Sequence, residues 1–78
     1  MISGAQIKAA RALICVSSRE FADFSGVSWA TVKRFEECHG IPPSRMGTLE
    51  RVKAALEQAG IEFLGDPVAS PGVRLCRK

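Results

Sequence analysis

The chain carries no tyrosine, one histidine and one tryptophan, and it has no glycine-rich phosphate loop. His39 is the single imidazole, and the acidic residues fall mostly on the exteriors of the expected helices. No acid, base and nucleophile therefore assemble, and an enzyme is the class the residues support least. Cysteine is sparse and unpaired: Cys15, Cys38 and Cys76 are odd in number and irregular in spacing, without the C-x-x-C doublet of zinc ribbons or redox sites. They are read as reduced thiols. A metal site built from them with His39 is disfavoured, because neighbouring Cys38 and His39 diverge on a regular backbone. No metal and no cofactor are expected. No apolar run approaches the length needed to cross a bilayer, and the opening Met1–Lys8 lacks a basic segment followed by an apolar core. The expectation is a cytoplasmic protein with no membrane partner.

What is present is ordinary for a folded domain: hydrophobic residues make up 46% and charged residues 24% of a 78-residue chain, which argues against disorder. A single domain of this size buries a modest core and gains from a partner subunit. The net charge of +3 favours an anionic partner such as nucleic acid. That charge is spread along the chain rather than clustered, so any footprint depends on the fold.

Periodicity predicts four helices. Ser3 is the expected N-cap of the first, which runs to about Ile14 with Ile7, Ala10, Leu13 and Ile14 as its apolar stripe. Ser17-Ser18-Arg19-Glu20 fits a capping box, so a second helix starts at Ser18 and ends by Ser25, before Gly26. Ser28 caps a third helix that runs to about Cys38, with Val32 and Phe35 inward. Pro42-Pro43 marks a loop. A fourth helix then follows, with Thr48 as its expected cap, Leu49, Val52, Leu56 and Ala59 as its stripe, and Gly60 as its stop. The period then changes to that of two short strands, 61–64 and 73–77, joined by a Pro-containing loop. The predicted fold is mainly α with a short C-terminal β-hairpin.

Two short helices joined by a Gly-containing turn have the dimensions of a helix-turn-helix. The residues Ala22, Gly26-Val27-Ser28, Thr31 and Glu36, with Phe21, Val32 and Phe35 as apolar replacements, resemble the DNA-binding domain shared by phage repressors, Cro and the bacterial XRE regulators. Ala9-Ala10-Arg11-Ala12-Leu13 is similar to that family's first helix, so the resemblance covers roughly residues 2 to 60. It implies a four-helix, lambda-repressor-like DNA-binding unit over 1–60. The tail over 61–78 departs from larger relatives and resembles a short subgroup ending in a β-hairpin. There Phe63, Leu64 and Leu75 are expected to pair across a homodimer axis, since a lone hairpin is marginal in water and has little core to join.

The resemblance also implies a structural pair between Arg11 and Glu36. Glu36 lies one position past inward Phe35, where an unpaired carboxylate is costly to bury. The competing assignment makes Arg11 a phosphate contact.

Setting Val32 and Phe35 as the inward direction at helical spacing places Ala30, Lys33, Arg34 and Glu37 on the opposite face, with Trp29 on its flank. Positions carried over from the family put Trp29, Ala30 and Arg34 where relatives reach bases, and Ser18, Thr31 and Lys33 near the backbone. Arg19 and Arg45 are further phosphate candidates, solvated loop charge being the alternative for Arg45. Ser28 belongs to the same candidate site as the recognition-helix cap. Arg34 suits a bidentate contact with guanine, and Ala30 can meet a thymine methyl.

Two aromatic residues have two readings each. Trp29 either presents an apolar edge to the groove or lies back over Lys33 or the end of the second helix. Phe24 either turns inward to compensate for Ser25, the orientation favoured here, or lies exposed and hints at a protein partner.

The function these residues point to is a dimeric, sequence-specific regulator of transcription that binds double-stranded DNA, acting as a repressor. The alternative is an antitoxin-like or other protein-interaction module built on the same scaffold.

Overall fold

The computed structural model describes residues 2–43 and 47–76. Four helices, α1 (Gly4–Leu13), α2 (Ser18–Ser25), α3 (Trp29–Glu37) and α4 (Thr48–Gln58), precede two strands, β1 (Ile61–Leu64) and β2 (Gly72–Leu75). The strands pair antiparallel, Ile61 opposite Leu75 and Leu64 opposite Gly72. The fold is therefore a small, mainly α domain closed by a hairpin. Among the described residues no helix is long and apolar enough to cross a membrane.

Local chemistry sets most of the boundaries. Ser17 Oγ accepts from the Glu20 amide at 3.1 Å while Glu20 Oε1 accepts from the Ser17 amide at 2.9 Å, closing a capping box on α2. The Ser17 amide holds the Glu20 carboxyl below the usual carboxylate range. Gly26 ends α2 in the left-handed region at φ +74°, with its amide donating to Ala22 O at 3.0 Å. Ser28 Oγ accepts from the Thr31 amide at 3.3 Å and starts α3. For α4 the cap differs from expectation: Gly47 holds the cap position and Thr48 is the first helical residue. Gly47 takes the cap at φ +78°, in the left-handed region that glycine enters freely, so the helix begins one residue earlier in the chain than a Thr48 cap implies.

Each helix turns one apolar face to a common core. Phe21, Phe35, Ile7, Val32, Val52 and Leu56 are fully enclosed, and Ile61 joins them from β1. Each large side chain so buried contributes on the order of 1.5–3 kcal/mol. Two apolar residues depart from expectation. On α1 the inward arc runs through Gln6, Ile7, Ala10 and half-buried Ile14, leaving Leu13 exposed at its edge in the last turn. On α2 the inward arc is occupied by Phe21, Ala22 and Ser25, so Phe24 points outward at 48% exposure. Its ring tilts against Phe21 at 6.2 Å between centroids. No compensation for Ser25 is required, because its hydroxyl donates to Ala22 O and accepts from the Val27 amide.

The tail has more core to join than its composition suggests. Ile61 is buried, and Phe63, Val73 and Leu75 are partly buried against the helices. The buried side chain of Gln6 then ties the hairpin to α1. Its Nε2 donates to Gly72 O at 3.0 Å and to Leu64 O at 3.3 Å, while Oε1 accepts from the Ser3 amide at 3.0 Å. β2 begins one residue earlier than expected, at Gly72, and ends at Leu75, beyond which Cys76 N donates to Gly60 O at 2.7 Å. Arg77, the expected strand end, lies outside the described residues. Across the strands Arg74 Nε donates to Glu62 Oε1 at 3.1 Å, and this bond holds the Glu62 carboxyl below its usual range.

Candidate nucleic-acid interface

α2 and α3 form a braced pair. The turn between them is pinned by Val27, which is buried. From behind, Arg11 on α1 grips Glu36 on α3 with two parallel bonds, Nε to Oε2 at 2.8 Å and Nη2 to Oε1 at 3.0 Å. The fork geometry suits guanidinium and carboxylate. Arg11 Nη1 also donates to Val16 O at 3.0 Å, so one side chain ties α1, α3 and the segment entering α2. The Glu36 side chain is only 9% exposed, and its hydrogen bonds raise the Arg11 pKa above the ordinary arginine value. Arg11 is thus committed to the interior pair rather than to an external phosphate. At the same C-terminal end of α3, the Gly4 amide donates to Gly40 O at 3.0 Å, and a Cβ there would overlap Phe35 O and lie 2.7 Å from Cys38 O. Glycine lets α1 abut the end of α3.

This bracing fixes which face of α3 looks outward. Val32 and Phe35 are enclosed, whereas Trp29, Ala30, Lys33 and Arg34 are exposed and line one shallow depression with Glu37 and Cys38. Arg34 is exposed, and its Cζ stands 5.7 Å from the Phe35 ring centroid. Ser28 and Thr31 form the base of the face, the Ser28 hydroxyl donating to Thr31 Oγ1 at 2.8 Å.

The start of α2 meets this face at Trp29. The indole Nε1 donates to Ser18 Oγ at 3.0 Å, Arg19 Cζ lies 4.4 Å from the ring centroid and Lys33 Nζ 5.4 Å. The indole thus lies beside Lys33 and the N-terminal end of α2. The ring remains 37% exposed. Ser18, Arg19, Trp29 and Lys33 form a single cluster that joins two helices. The cluster carries two cations, with Glu37 lining the same depression.

Of the other candidates, Arg45 lies outside the described residues. Phe63, Leu64 and Leu75 belong to the hairpin, which packs on α1 and α4. Phe63 and Leu75 are half-buried against the chain's own core, and Leu64 is 38% exposed. Among the described residues no group of three or more His, Cys, Asp or Glu side chains is arranged to hold a metal.

Two contacts escape sequence reasoning. The Ser18–Trp29 bond joins residues on different helices and has no local signature. Gln6 had half a signal: Ser3-Gly4-Ala5-Gln6 is a capping-box pattern, and the box is formed, with the Gln6 amide donating to Ser3 Oγ at 3.3 Å. Its bonds to the hairpin had none.

A scan against protein-family models finds no match to this chain, and a search of curated proteins finds none either. The functional reading therefore rests on the residues and their arrangement.

Proposed function

We propose that the chain is a sequence-specific DNA-binding regulator of transcription of the phage-repressor and XRE type, a dimeric cytoplasmic repressor that lays α3 in the major groove. One observation carries this reading. The face of α3 opposite the core presents Ala30, Lys33 and Arg34 beside Ser18 and Arg19 of α2, on a pair of helices held rigid from behind by Arg11 and Glu36. A rigid helix with short and cationic side chains outward is what base reading in a groove requires.

Arg34 has the fork for guanine O6 and N7, and Ala30 the small apolar surface for a thymine methyl. Arg19, Lys33, Ser18 and Thr31 serve the sugar-phosphate backbone, with Arg45 as a further phosphate contact and Ser28 fixing the start of α3. Dimerisation through Phe63, Leu64 and Leu75 sets the half-site spacing, the exposure of Leu64 supporting an outward hairpin face. Repression works by occluding a promoter.

The deciding experiment is selection of bound duplexes from a random pool, followed by a salt series on the winner. Enrichment of two related half-sites, with affinity falling steeply as salt rises, is expected. No enriched sequence together with a flat salt dependence would overturn the reading. Exposed Phe24 favours a second reading, in which the pair of helices is a scaffold for a protein partner. An antitoxin-like subunit is one form of it. The scaffold reading predicts weak, salt-insensitive DNA affinity.

A further inference from the structure

Among the described residues of the candidate face, Trp29 is the one side chain whose hydrogen-bonding capacity is already spent. An indole has one donor and no acceptor. That donor goes to Ser18 Oγ at 3.0 Å, so nothing polar remains to read a base. Its ring, in turn, is occupied by cations: Arg19 from α2 stands 4.4 Å and Lys33 from α3 5.4 Å from the centroid. Both lie inside the distance at which a cation is drawn to an aromatic face.

We propose that Trp29 is a positioning residue that pre-orders Arg19 and Lys33 for backbone phosphates, rather than a reader of bases. The inference rests on the DNA reading above and assigns this cluster its ligand within it. Arginine and lysine side chains lose much rotamer freedom when they are fixed on a phosphate. Resting both on one rigid ring moves part of that loss from binding to folding. Ser18 takes part as well, since its oxygen accepts from the indole and its own proton stays available to donate to a phosphate oxygen. Sequence discrimination then falls on Ala30 and Arg34.

The chain's single tryptophan allows a test in the free protein. Quenching of Trp29 emission by iodide should exceed quenching by caesium, because two cations flank the ring, and the Arg19→Ala/Lys33→Ala double variant should lose that preference. Binding is then measured to a selected duplex and to an unrelated one. Trp29→Ala should weaken both by the same factor, roughly tenfold for two exposed cation–π contacts. Trp29→Phe, which keeps a ring, should recover most of that loss. In the Trp29→Ala background, removing Lys33 should cost less affinity than it does in the wild type.

Equal iodide and caesium quenching in the wild type would overturn the proposal. So would a loss confined to the selected duplex, which marks a base reader, or no loss on either. Circular dichroism checks that Trp29→Ala is folded, and if it is not, Trp29→Phe and the quenching comparison decide. An intact iodide preference in a protein that binds no duplex would instead overturn the DNA reading, and the phosphate role with it.

Discussion

Replacing Gln6 with leucine should remove a large share of the domain's stability. Gln6 is 2% exposed and makes three bonds through its side chain, accepting from Ser3 N and donating to Leu64 O and Gly72 O. Leucine keeps the volume but leaves all three backbone groups without this partner. A buried backbone group so abandoned costs about 1–3 kcal/mol. Water reaches the two hairpin carbonyls in part, and leucine regains some apolar burial, so the net loss is about 3 kcal/mol. A domain of this size holds roughly 4–12 kcal/mol in total. Loss of about 3 kcal/mol should lower Tm by roughly 12–24 °C.

Urea titration followed by far-UV circular dichroism, alongside thermal melts, measures the loss, and amide exchange in 61–64 and 72–75 locates it. Gln6→Glu sharpens the test. A carboxylate there would face two carbonyl oxygens in a buried site, which raises its folded pKa above the unfolded value. Stability of that variant should be greatest below the unfolded pKa and fall as pH rises through the folded one. If Gln6→Leu stays within about 1 kcal/mol of wild type with hairpin exchange unchanged, the inferred role of Gln6 is wrong.

Arg11→Ala should destabilise by about 3 kcal/mol, because it strands the Glu36 carboxylate at 9% exposure and frees Val16 O; a double-mutant cycle with Glu36→Gln measures the coupling. Gly4→Ala should be far worse than Gly26→Ala in chemical denaturation. The first drives a Cβ into Phe35 O, whereas the second meets nothing within 4 Å and bears only the left-handed backbone penalty of about 1 kcal/mol. Between neutral pH and acid, stability should decline as carboxyls held below their usual range take up protons: Glu20 by the Ser17 amide, Glu62 by Arg74, and Asp66 by the Ala69 and Val68 amides. Their depressed folded pKa values stabilise above the unfolded pKa, and that stability is lost as pH falls through the folded values, which NMR titration can follow. Sedimentation of the intact chain should show a dimer at high micromolar concentration, and Leu64→Lys should shift it toward monomer without unfolding it; a wild-type monomer would refute the hairpin interface.

The helix starts and the α2–α3 turn were legible because they are decided within four residues. Ser3, Ser17 and Ser28 each offer an oxygen to an amide three positions on, and Gly26 enters a backbone region closed to most side chains. The outward set of α3 was legible for a related reason, since helical period alone separates Val32 and Phe35 from Ala30, Lys33 and Arg34. Expectation and structure part where two signals compete. The hydrophobicity of Phe24 argues for the interior, yet its place on the arc is set by Phe21, Ala22 and Ser25. Thr48 is of a capping type, yet Gly47 precedes it and holds the cap.

By itself, then, the sequence determined the order and polarity of the elements, because capping, turn chemistry and periodicity act over a few residues. The tertiary structure alone decided which polar groups those elements would share. Gln6 reaches a hairpin nearly sixty residues away, and Trp29 surrenders its only donor to Ser18. Such partners become neighbours only when helices pack, and a buried donor or acceptor must then be satisfied by whatever the packing brings within reach.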